Sequence, residues 1–368
     1  MGFDFKARIK RLRARLKAEG LHALISVTLE DSNRNPYYLS GFSGTTGALV
    51  VTQREAVLAV DPRYIERAKA EAKGVRIAHV PRGLLNRHFS LYIEKALEAT
   101  TLSAKSRVGF EAARVPHAWV PTWKKTVKGK LTATEHIVER LRQIKDADEL
   151  RHLAHASRVT SRVFLEVSKK IRAGMTEREI ARMLDIAHLR AGAVASSFRT
   201  IVASGKNSAL PHHETSDRTV KAGEPLILDF GGLYSGGYCS DLTRTIFVPG
   251  KPPDKKLADM YRVALAANHA ALKALRAGMT WKEYDAVARE HIDAGGYGKY
   301  FTHGLGHSIG LETHDPYDYR NDPFEAGTVL SNEPGIYIPG VGGVRIEDDV
   351  VVTARGAKRL TNAPYLSL

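Results

Sequence analysis

Apolar and polar positions along the first third of the chain follow alternating helical and strand-like periods. Residues 4–19 carry an apolar side chain at every third or fourth position, which predicts an amphipathic helix, and residues 21–27 form an apolar run typical of a buried strand. The same alternation continues to about residue 110. It predicts strands at 48–52, 56–60, 75–80 and 108–110, a helix from about 64 and another at 90–98. The pattern therefore predicts an α/β domain of roughly 130 residues.

A different pattern follows this predicted domain. The charged segment 132–144 is interpreted as a linker, and residues 147–170 carry apolar residues at helical spacing, which predicts a long helix. Farther on, an apolar run at 226–228 is followed at once by glycines, which predicts a buried strand and a tight hairpin. Asp229 ends this run and Asp241 opens the next one. From this stretch alone, a metal site and a pair of turn caps are about equally good interpretations.

An internal repeat changes that balance. Residues 171–176 read Ile-Arg-Ala-Gly-Met-Thr and residues 275–280 read Leu-Arg-Ala-Gly-Met-Thr, with a glutamate three places after each segment. The offset of 104 residues predicts two copies of one structural unit. The repeated Thr-x-x-Glu patterns, starting at Thr176 and Thr280, are capping boxes that begin paired helices, so they are predicted to be structural.

The repeat also pairs the acidic residues. Asp229 corresponds to Glu333 at the same offset, and Asp241 corresponds to Glu347 after two residues of slippage. Two units packed about a pseudo-twofold axis would bring these four carboxylates together. Four buried carboxylates repel one another unless cations lie between them. The repeat therefore predicts a metal site.

Histidines lie between the second repeat helix and Glu333. His303 and His307 have the spacing of the helical zinc motif of metalloproteases, but Gly304 replaces its glutamate and nearby glycines disfavour a helix, so this motif is rejected. One imidazole with four carboxylates is an oxygen-rich ligand set, which favours a pair of manganese, cobalt or zinc ions. Carboxylate-bridged ions typically activate a bridging hydroxide that attacks a polarised carbonyl. The predicted reaction is hydrolysis.

Five segments in order resemble the pita-bread metallopeptidases, and most closely the Xaa-Pro peptidases among them. The resemblance covers nearly the whole chain and rests on the segments Leu-Asp-Phe-Gly, Ser-Asp-Leu-Thr-Arg-Thr, Gly-His-Ser-Ile-Gly, Asn-Glu-Pro-Gly and Gly-Val-Arg-Ile-Glu-Asp. It implies an α/β (α+β) fold with a creatinase-like N-terminal domain at 1–134 and a pita-bread catalytic domain at 135–368. It also implies two divalent ions per subunit, with manganese preferred over cobalt or zinc. The implied ligands are Asp229, Asp241, His307, Glu333 and Glu347.

The resemblance assigns roles to further residues. Glu333 would also act as the acid and base for the attacking water. Arg345 would lie near the substrate and near Glu347, which the resemblance implies as a ligand bridging the two ions. His212 would line the pocket near the scissile bond, and His303 and His314 would hydrogen-bond the substrate or the developing oxyanion. Asp315 departs from the family pattern, in which glutamate often follows this histidine. The family context does not extend to His213, which is interpreted as structural.

The implied substrate is a small proline-containing peptide, cleaved at its N-terminal Xaa-Pro bond. The sequence does not separate a strict Xaa-Pro dipeptidase from a proline aminopeptidase that acts on longer peptides. A methionine aminopeptidase is disfavoured because such enzymes generally lack the N-terminal domain. A binding protein or metal-free enzyme on the same fold is the remaining alternative, but such relatives have lost ligands that this chain keeps.

Composition adds limits to the predicted partners and location. The chain has 368 residues, a formal net charge of +15 and a hydrophobic fraction of 43%. Its basic residues are mixed with acidic ones, so a solvated surface is expected and neither nucleic acid nor a membrane is a predicted partner. The N-terminus has no signal-peptide pattern, and a cytoplasmic homodimer is the expectation from the resemblance. The single cysteine, Cys239, excludes an intrachain disulfide and is interpreted as buried structure.

Overall fold

The computed structural model describes residues 2–30, 33–81, 89–316 and 322–366. The chain forms two compact units, Met1–Arg142 and Gln143–Leu368. The segment 132–144, interpreted as a linker, contains the division between the two units, but a strand at Lys130–Thr134 and a helix at Glu139–Gln143 occupy most of it. That strand lies at the edge of a sheet, and its exposed and half-buried polar residues resemble a linker in composition. The domain boundary proposed from the sequence, between residues 134 and 135, falls inside the first unit.

The first unit is an α/β fold, as predicted. Its helices and strands in chain order are α1 Phe5–Ala18, β1 Ala23–Leu29, α2 Asn35–Ser40, β2 Thr46–Thr52, β3 Ala56–Val60, α3 Ile65–Glu71, β4 Arg76–His79, α4 Ser90–Glu98, β5 Arg107–Glu111, α5 Val120–Thr126, β6 Lys130–Thr134 and α6 Glu139–Gln143. The strands form one six-stranded sheet in the order β4-β3-β2-β1-β5-β6. The pairs β1–β2 and β2–β3 are antiparallel, and the pairs β3–β4, β1–β5 and β5–β6 are parallel. The predicted strands at 48–52, 56–60, 75–80 and 108–110 all lie within a residue or two of observed ones.

A buried polar cluster ties the end of β5 to α2 and α6. Glu111, 4% exposed, accepts hydrogen bonds of 2.7 Å from Ser26, Asn33 and Asn35. Asn35 also donates to Glu139 at 2.8 Å. Burial raises the pKa of Glu111 to about 7, and the nearby Glu139 charge adds to the effect.

This cluster predicts a pH-dependent stability. Because the folded chain holds a proton on Glu111 that the unfolded chain has lost above its ordinary pKa of 4.5, the free energy of unfolding should fall as pH rises from about 4.5 to 7. The expected loss is about 3 kcal/mol, because each pKa unit corresponds to about 1.4 kcal/mol. Glu111→Gln, which has no charge to lose, should flatten this slope. Urea unfolding of both proteins at pH 5 and pH 8, followed by tryptophan fluorescence, measures it, and equal slopes would contradict the assignment.

The second unit carries two similar sets of helices and strands. Its elements in chain order are α7 Ala147–Ser168, α8 Glu177–Arg190, β7 Ala195–Ser196, β8 Ile201–Ser204, β9 Pro225–Phe230, β10 Gly232–Leu233, β11 Leu242–Phe247, α9 Lys255–Ala274, α10 Trp281–Ala294, β12 Val329–Asn332, β13 Gly335–Ile338, β14 Gly342–Arg345, β15 Asp348–Thr353 and β16 Gly356–Arg359. Short 3-10 helices at Gly205–Ala209 and Gly298–Tyr300 join some of them. The long helix predicted at 147–170 is confirmed as α7.

The internal repeat is present in the elements themselves. Helix α10 begins and ends 104 residues after α8, and each helix starts with a capping box, at Thr280 and Thr176 respectively. Strand β15 begins and ends 106 residues after β11, which matches the slippage seen in the sequence. The antiparallel pair β9–β11 therefore corresponds to the antiparallel pair β12–β15. The predicted pita-bread fold with an internal repeat is confirmed.

The two strand pairs join directly along β11. The amide of Glu347 donates to the carbonyl of Thr243 at 3.0 Å, and the amide of Arg345 donates to the hydroxyl of Thr245 at 3.0 Å. The approach is close nearby, because a Cβ at Gly343 would lie 2.0 Å from the Ser208 carbonyl oxygen. Glycine is therefore required at this point of β14 for steric reasons.

The C-terminal segment is fastened to the same sheet region through Arg244. This arginine, 1% exposed, donates to the carbonyl of Ala363 at 2.9 Å and to the Asp348 carboxylate at 2.8 Å. Tyr365 donates to the other oxygen of Asp348 at 2.8 Å, and the Arg244 guanidinium lies 4.8 Å from the centre of its ring. The last described residues are thus part of the core of the second unit.

Candidate metal centre

The first two predicted ligands lie on one antiparallel strand pair. Asp229, in β9, is opposite Thr243 of β11, and Asp241 directly precedes β11. The apolar runs around them are fully buried, with Leu228 and Leu242 at 0% exposure. Burial of these runs places the aspartates, 9% and 4% exposed, where little water reaches them.

The repeat supplies two glutamates in equivalent positions. Glu333 directly follows β12 and Glu347 directly precedes β15. The hydroxyl of Thr243 donates to Glu347 at 2.6 Å, so a residue of the first repeat orients a carboxylate of the second. Ser331 similarly donates to Glu333 at 3.0 Å. Each glutamate is therefore oriented by a hydroxyl group of a strand.

His307 brings an imidazole to these carboxylates. Its segment is not helical, as predicted, and its amide donates to the Ser331 hydroxyl at 2.9 Å. Its Nδ1 lies 3.1 Å from the Ser308 carbonyl oxygen, an acceptor that places the proton on Nδ1. Its Nε2 then faces Asp241 at 3.6 Å and Glu333 at 3.4 Å with a free lone pair. This is the arrangement by which histidine binds a metal.

The donor atoms converge on a small volume. One ligand atom from each of Asp241, His307 and Glu347 lies within 4.8 Å of the others. Two of the oxygens, Asp241 Oδ1 and Glu347 Oε1, are buried without a hydrogen-bond partner. Buried oxygens left without partners are costly unless a cation or water satisfies them.

The charges at the site point the same way. Burial and the neighbouring carboxylates raise the pKa of Asp241 and of Glu347 well above their ordinary values. Burial also raises the pKa of Glu333 and lowers that of His307. These pKa shifts show that, without cations, the buried site disfavours charged carboxylates and a protonated imidazole. Divalent cations reverse the balance for the carboxylates, and hard oxygen donors with one imidazole suit them.

All nine residues that the sequence singled out line one cavity of about 500 Å³. The proposed ligands are Asp229, Asp241, His307, Glu333 and Glu347, and the proposed catalytic residues beside Glu333 are His212, His303, His314 and Arg345. The volume is typical of a pocket for a small molecule or short peptide. The four residues that the resemblance added to the ligand set therefore lie at the same site as the ligands.

Arg345 is held by a dense set of buried contacts. Its guanidinium donates to Asp229 at 2.5 Å and to the hydroxyl of Tyr337 at 2.9 Å, and it is 3% exposed. It also donates to the carbonyl of Pro211, the residue before His212, at 3.2 Å. Arg345 thus fixes the orientation of one proposed ligand and supports the backbone beside a proposed catalytic histidine.

The other histidines have distinct surroundings. His303 Nε2 lies 2.9 Å from the Tyr337 hydroxyl, and burial lowers the pKa of His303 and raises that of Tyr337 to about 12. The ring of His314 lies 4.1 Å from that of His307, centre to centre, and burial lowers its pKa as well. Neutral imidazoles at this site can donate or accept a hydrogen bond, as contact with a peptide requires.

A buried ion pair supports the loop that carries His307 and His314. Lys145, just before α7, lies 3.3 Å from the Asp315 carboxylate and 3.3 Å from the Ser308 hydroxyl. The Lys145 and Asp315 side chains are each 1% exposed. The amide of Asp315 also donates to the Ser308 carbonyl at 2.9 Å. Lys145 thus contacts the residue after each of the two histidines.

Comparison with known proteins places this geometry in a family. Residues 151–354 match the model of Metallopeptidase family M24, and residues 8–144 match the Creatinase/Prolidase N-terminal domain. The first match spans more than half of the chain and contains all nine site residues. The chain belongs to metallopeptidase family M24.

Relatives in the family are similar over nearly the whole length. An Xaa-Pro dipeptidase of Pyrococcus horikoshii is 35% identical over 92% of this chain and 93% of its own. The solved structure of an Xaa-Pro dipeptidase from Bacillus anthracis superposes with a TM-score of 0.90 at 36% identity, covering 99% of both chains. An X-Pro aminopeptidase from Thermotoga maritima superposes with a TM-score of 0.86 at 34% identity, covering 96% of this chain and 99% of that one. Metallopeptidases with the same two-domain organisation are thus its relatives.

Some residues of this M24 site were not found from the sequence. Thr243 and Tyr337 contact proposed ligands and catalytic residues, and Phe198, Arg199 and Ile201 line the cavity. Thr243 had a signal, because it lies two positions after Asp241 and so points to the same side of the extended chain. Tyr337 had no such neighbour. Arg199 and its neighbours had no comparable signal.

Two residues interpreted as structural are outside the cavity lining. Cys239 is buried at 4% exposure. His213 Nε2 lies 2.9 Å from Glu177, a buried residue of α8. His213 therefore contacts α8, whereas its neighbour His212 lines the cavity. In the described part of the chain, the helices are too short or too polar to cross a membrane.

Proposed function

We propose that this chain is an exopeptidase that hydrolyses the Xaa-Pro bond at the N-terminus of short peptides with two divalent ions per subunit. The observation that carries the proposal is the convergence of four carboxylates and one imidazole in a cavity that three further histidines line. Relatives named Xaa-Pro dipeptidase and X-Pro aminopeptidase, matched over nearly their whole length, support the substrate class.

The proposed ligands are Asp229, Asp241, His307, Glu333 and Glu347. The bound ions supply Lewis-acid activation of water and of the scissile carbonyl. We propose a pair of manganese ions, as the family resemblance implies. Cobalt and zinc are the alternatives, because oxygen-rich sites accept all three metals.

The chain's own groups move the protons. In this proposal Glu333, which accepts a hydrogen bond of 3.0 Å from Ser331, takes a proton from water and passes it on. That proton is needed by the proline nitrogen, which has no hydrogen in the peptide and must gain one as the C–N bond breaks. Hydroxide adds to the carbonyl carbon in the same reaction, so the products are a free amino acid and a peptide with N-terminal proline, or proline itself.

The histidines position the substrate in this proposal, and Arg345 positions a proposed metal ligand. His303 is oriented by the hydroxyl of Tyr337, and the ring of His314 packs against that of His307 at a tilt of 51°. Either imidazole can hydrogen-bond the carbonyl oxygen as negative charge develops on it. Arg345 is engaged by Asp229 and acts through that residue rather than on the peptide.

A strict dipeptidase and a proline aminopeptidase differ in the length of peptide accepted. We propose to separate them with Ala-Pro and Ala-Pro-Ala as substrates, and Ala-Ala-Ala as the control without proline. Metal-stripped enzyme is assayed for released alanine before and after addition of manganese, cobalt or zinc. Metal-dependent cleavage of Ala-Pro alone indicates a dipeptidase, and cleavage of Ala-Pro-Ala indicates an aminopeptidase. Failure on both with metal bound would refute the proposed specificity.

The assembly and location expected from the resemblance stay predictions. A homodimer is tested by light scattering of the purified chain. A cytoplasmic location is tested by cell fractionation.

A further inference from the structure

Two arginines are among the described residues that line the cavity, and they differ in their surroundings. Arg345 is buried and occupied by Asp229, Tyr337 and Pro211. The side chain of Arg199 also lines this cavity, but it is 70% exposed to solvent. Arg199 is therefore the cation of this lining that an entering peptide can reach.

The position of Arg199 is fixed by its backbone. It lies between β7 and β8, next to Thr200, whose carbonyl accepts a hydrogen bond of 3.1 Å from the Thr215 hydroxyl. The same hydroxyl accepts from the amide of Val202 at 2.9 Å. Thr215, 8% exposed, thus joins the Arg199 segment to the segment of His212 and Glu214. Hydrogen bonds therefore hold the backbone beside Arg199, while its side chain is mostly exposed to solvent.

The guanidinium forms an ion pair with Glu214. Glu214 is 75% exposed and is not among the described residues that line the cavity. Ion pairs between exposed side chains contribute little, because water and salt screen both charges. A carboxylate that enters the cavity can therefore replace Glu214 at small cost.

We propose that Arg199 binds a carboxylate of the peptide substrate at the cavity and favours peptides that carry one there. The planar guanidinium offers two parallel donors that match a carboxylate. This inference rests on the proposed function, since it names a property of the same substrate. The carboxylate has two sources, namely the C-terminus of a dipeptide and an acidic side chain at its first residue.

Two pairs of peptides separate these sources. Ala-Pro and Ala-Pro-amide differ only in the C-terminal charge, and Glu-Pro-amide and Gln-Pro-amide differ only in the side-chain charge. For each pair the ratio of kcat/KM, charged over neutral, is measured with manganese-loaded wild type and Arg199→Gln. One ratio should fall about tenfold in the variant, mainly through a higher KM, because the lost contact is remote from the reacting atoms. The pair that responds identifies the source.

Two further variants sharpen the test. Glu214→Gln removes the competing carboxylate and should raise the responding ratio, by about threefold. Arg178→Gln is the matched control, because Arg178 also forms an exposed ion pair, with Asp217, but is not among the described residues of the cavity lining. It should leave both ratios as they are in wild type.

The two possible failures are distinguishable. If wild type cleaves the peptides and Arg199→Gln leaves both ratios unchanged, or Arg178→Gln lowers the same ratio equally, the inference about Arg199 is overturned and the proposed function stands. If manganese-loaded wild type cleaves none of the four peptides, the proposed function itself is overturned, and this inference with it.

Discussion

Glu347→Gln is expected to lower kcat/KM on an Xaa-Pro peptide at least about a thousandfold, because an amide replaces a carboxylate that we propose as a metal ligand. The glutamate is 2% exposed and its Oε1 has no hydrogen-bond partner, which suits a metal ligand. Manganese bound per chain, measured after dialysis by elemental analysis, should fall together with the activity.

The same variant should have the opposite effect on the metal-free protein. Without ions, Glu347 is a buried acid beside Asp229 and Glu333, whose charges repel it. Loss of this charge is expected to raise the free energy of unfolding in EDTA at pH 8, by about 1 kcal/mol or more. Addition of manganese should then stabilise wild type and leave the variant nearly unchanged.

Glu325→Gln is the control, since Glu325 is an exposed acid just before β12. It should change neither metal content nor stability by a measurable amount. Normal metal content and activity in Glu347→Gln would remove this residue from the proposed ligand set.

Lys145→Met is expected to destabilise the protein by about 3–5 kcal/mol. The lysine and Asp315 are each 1% exposed, so methionine would leave a buried carboxylate without this cation. Urea unfolding in EDTA measures the effect apart from any change in metal binding. The double variant Lys145→Met with Asp315→Asn removes both charges and should recover at least half of the loss.

A surface pair provides the comparison for this variant. Lys170 lies 2.6 Å from Glu166 on the protein surface, and the two side chains are 54% and 53% exposed. Lys170→Met should therefore cost less than about 0.5 kcal/mol. If Lys145→Met costs no more than Lys170→Met, the buried pair does not support the histidine loop in the way proposed.

The parts of the structure that were predictable have local signals in the sequence. The capping boxes at Thr176 and Thr280 start their helices where the pattern indicated, because the cap is formed by residues three positions apart. Strands of the first unit were found because buried strands are continuous apolar runs. The proposed ligands lie in one cavity as the repeat predicted, since a repeated acid at a strand end has few explanations other than a shared site.

The parts that were missed depend on contacts between distant segments. Lys145 and Asp315 are 170 residues apart and Thr243 and Glu347 are 104 apart, and neither pair has a pattern that a single sequence shows. The strand and helix within the segment 132–144 were missed because an edge strand has one side in solvent and so carries polar residues. Arg199 was missed for a similar reason, since an exposed arginine is ordinary in a chain with this many basic residues.

The fastening of the C-terminal segment to Arg244 has a practical consequence for work on this enzyme. Chain ends are usually the parts that tolerate truncation and fusion best. Here the carbonyl of Ala363 and the ring of Tyr365 help to satisfy a buried guanidinium that also binds Asp348, the residue next to Glu347. Loss of the segment from Ala363 onward would therefore act as a core mutation beside the proposed metal centre.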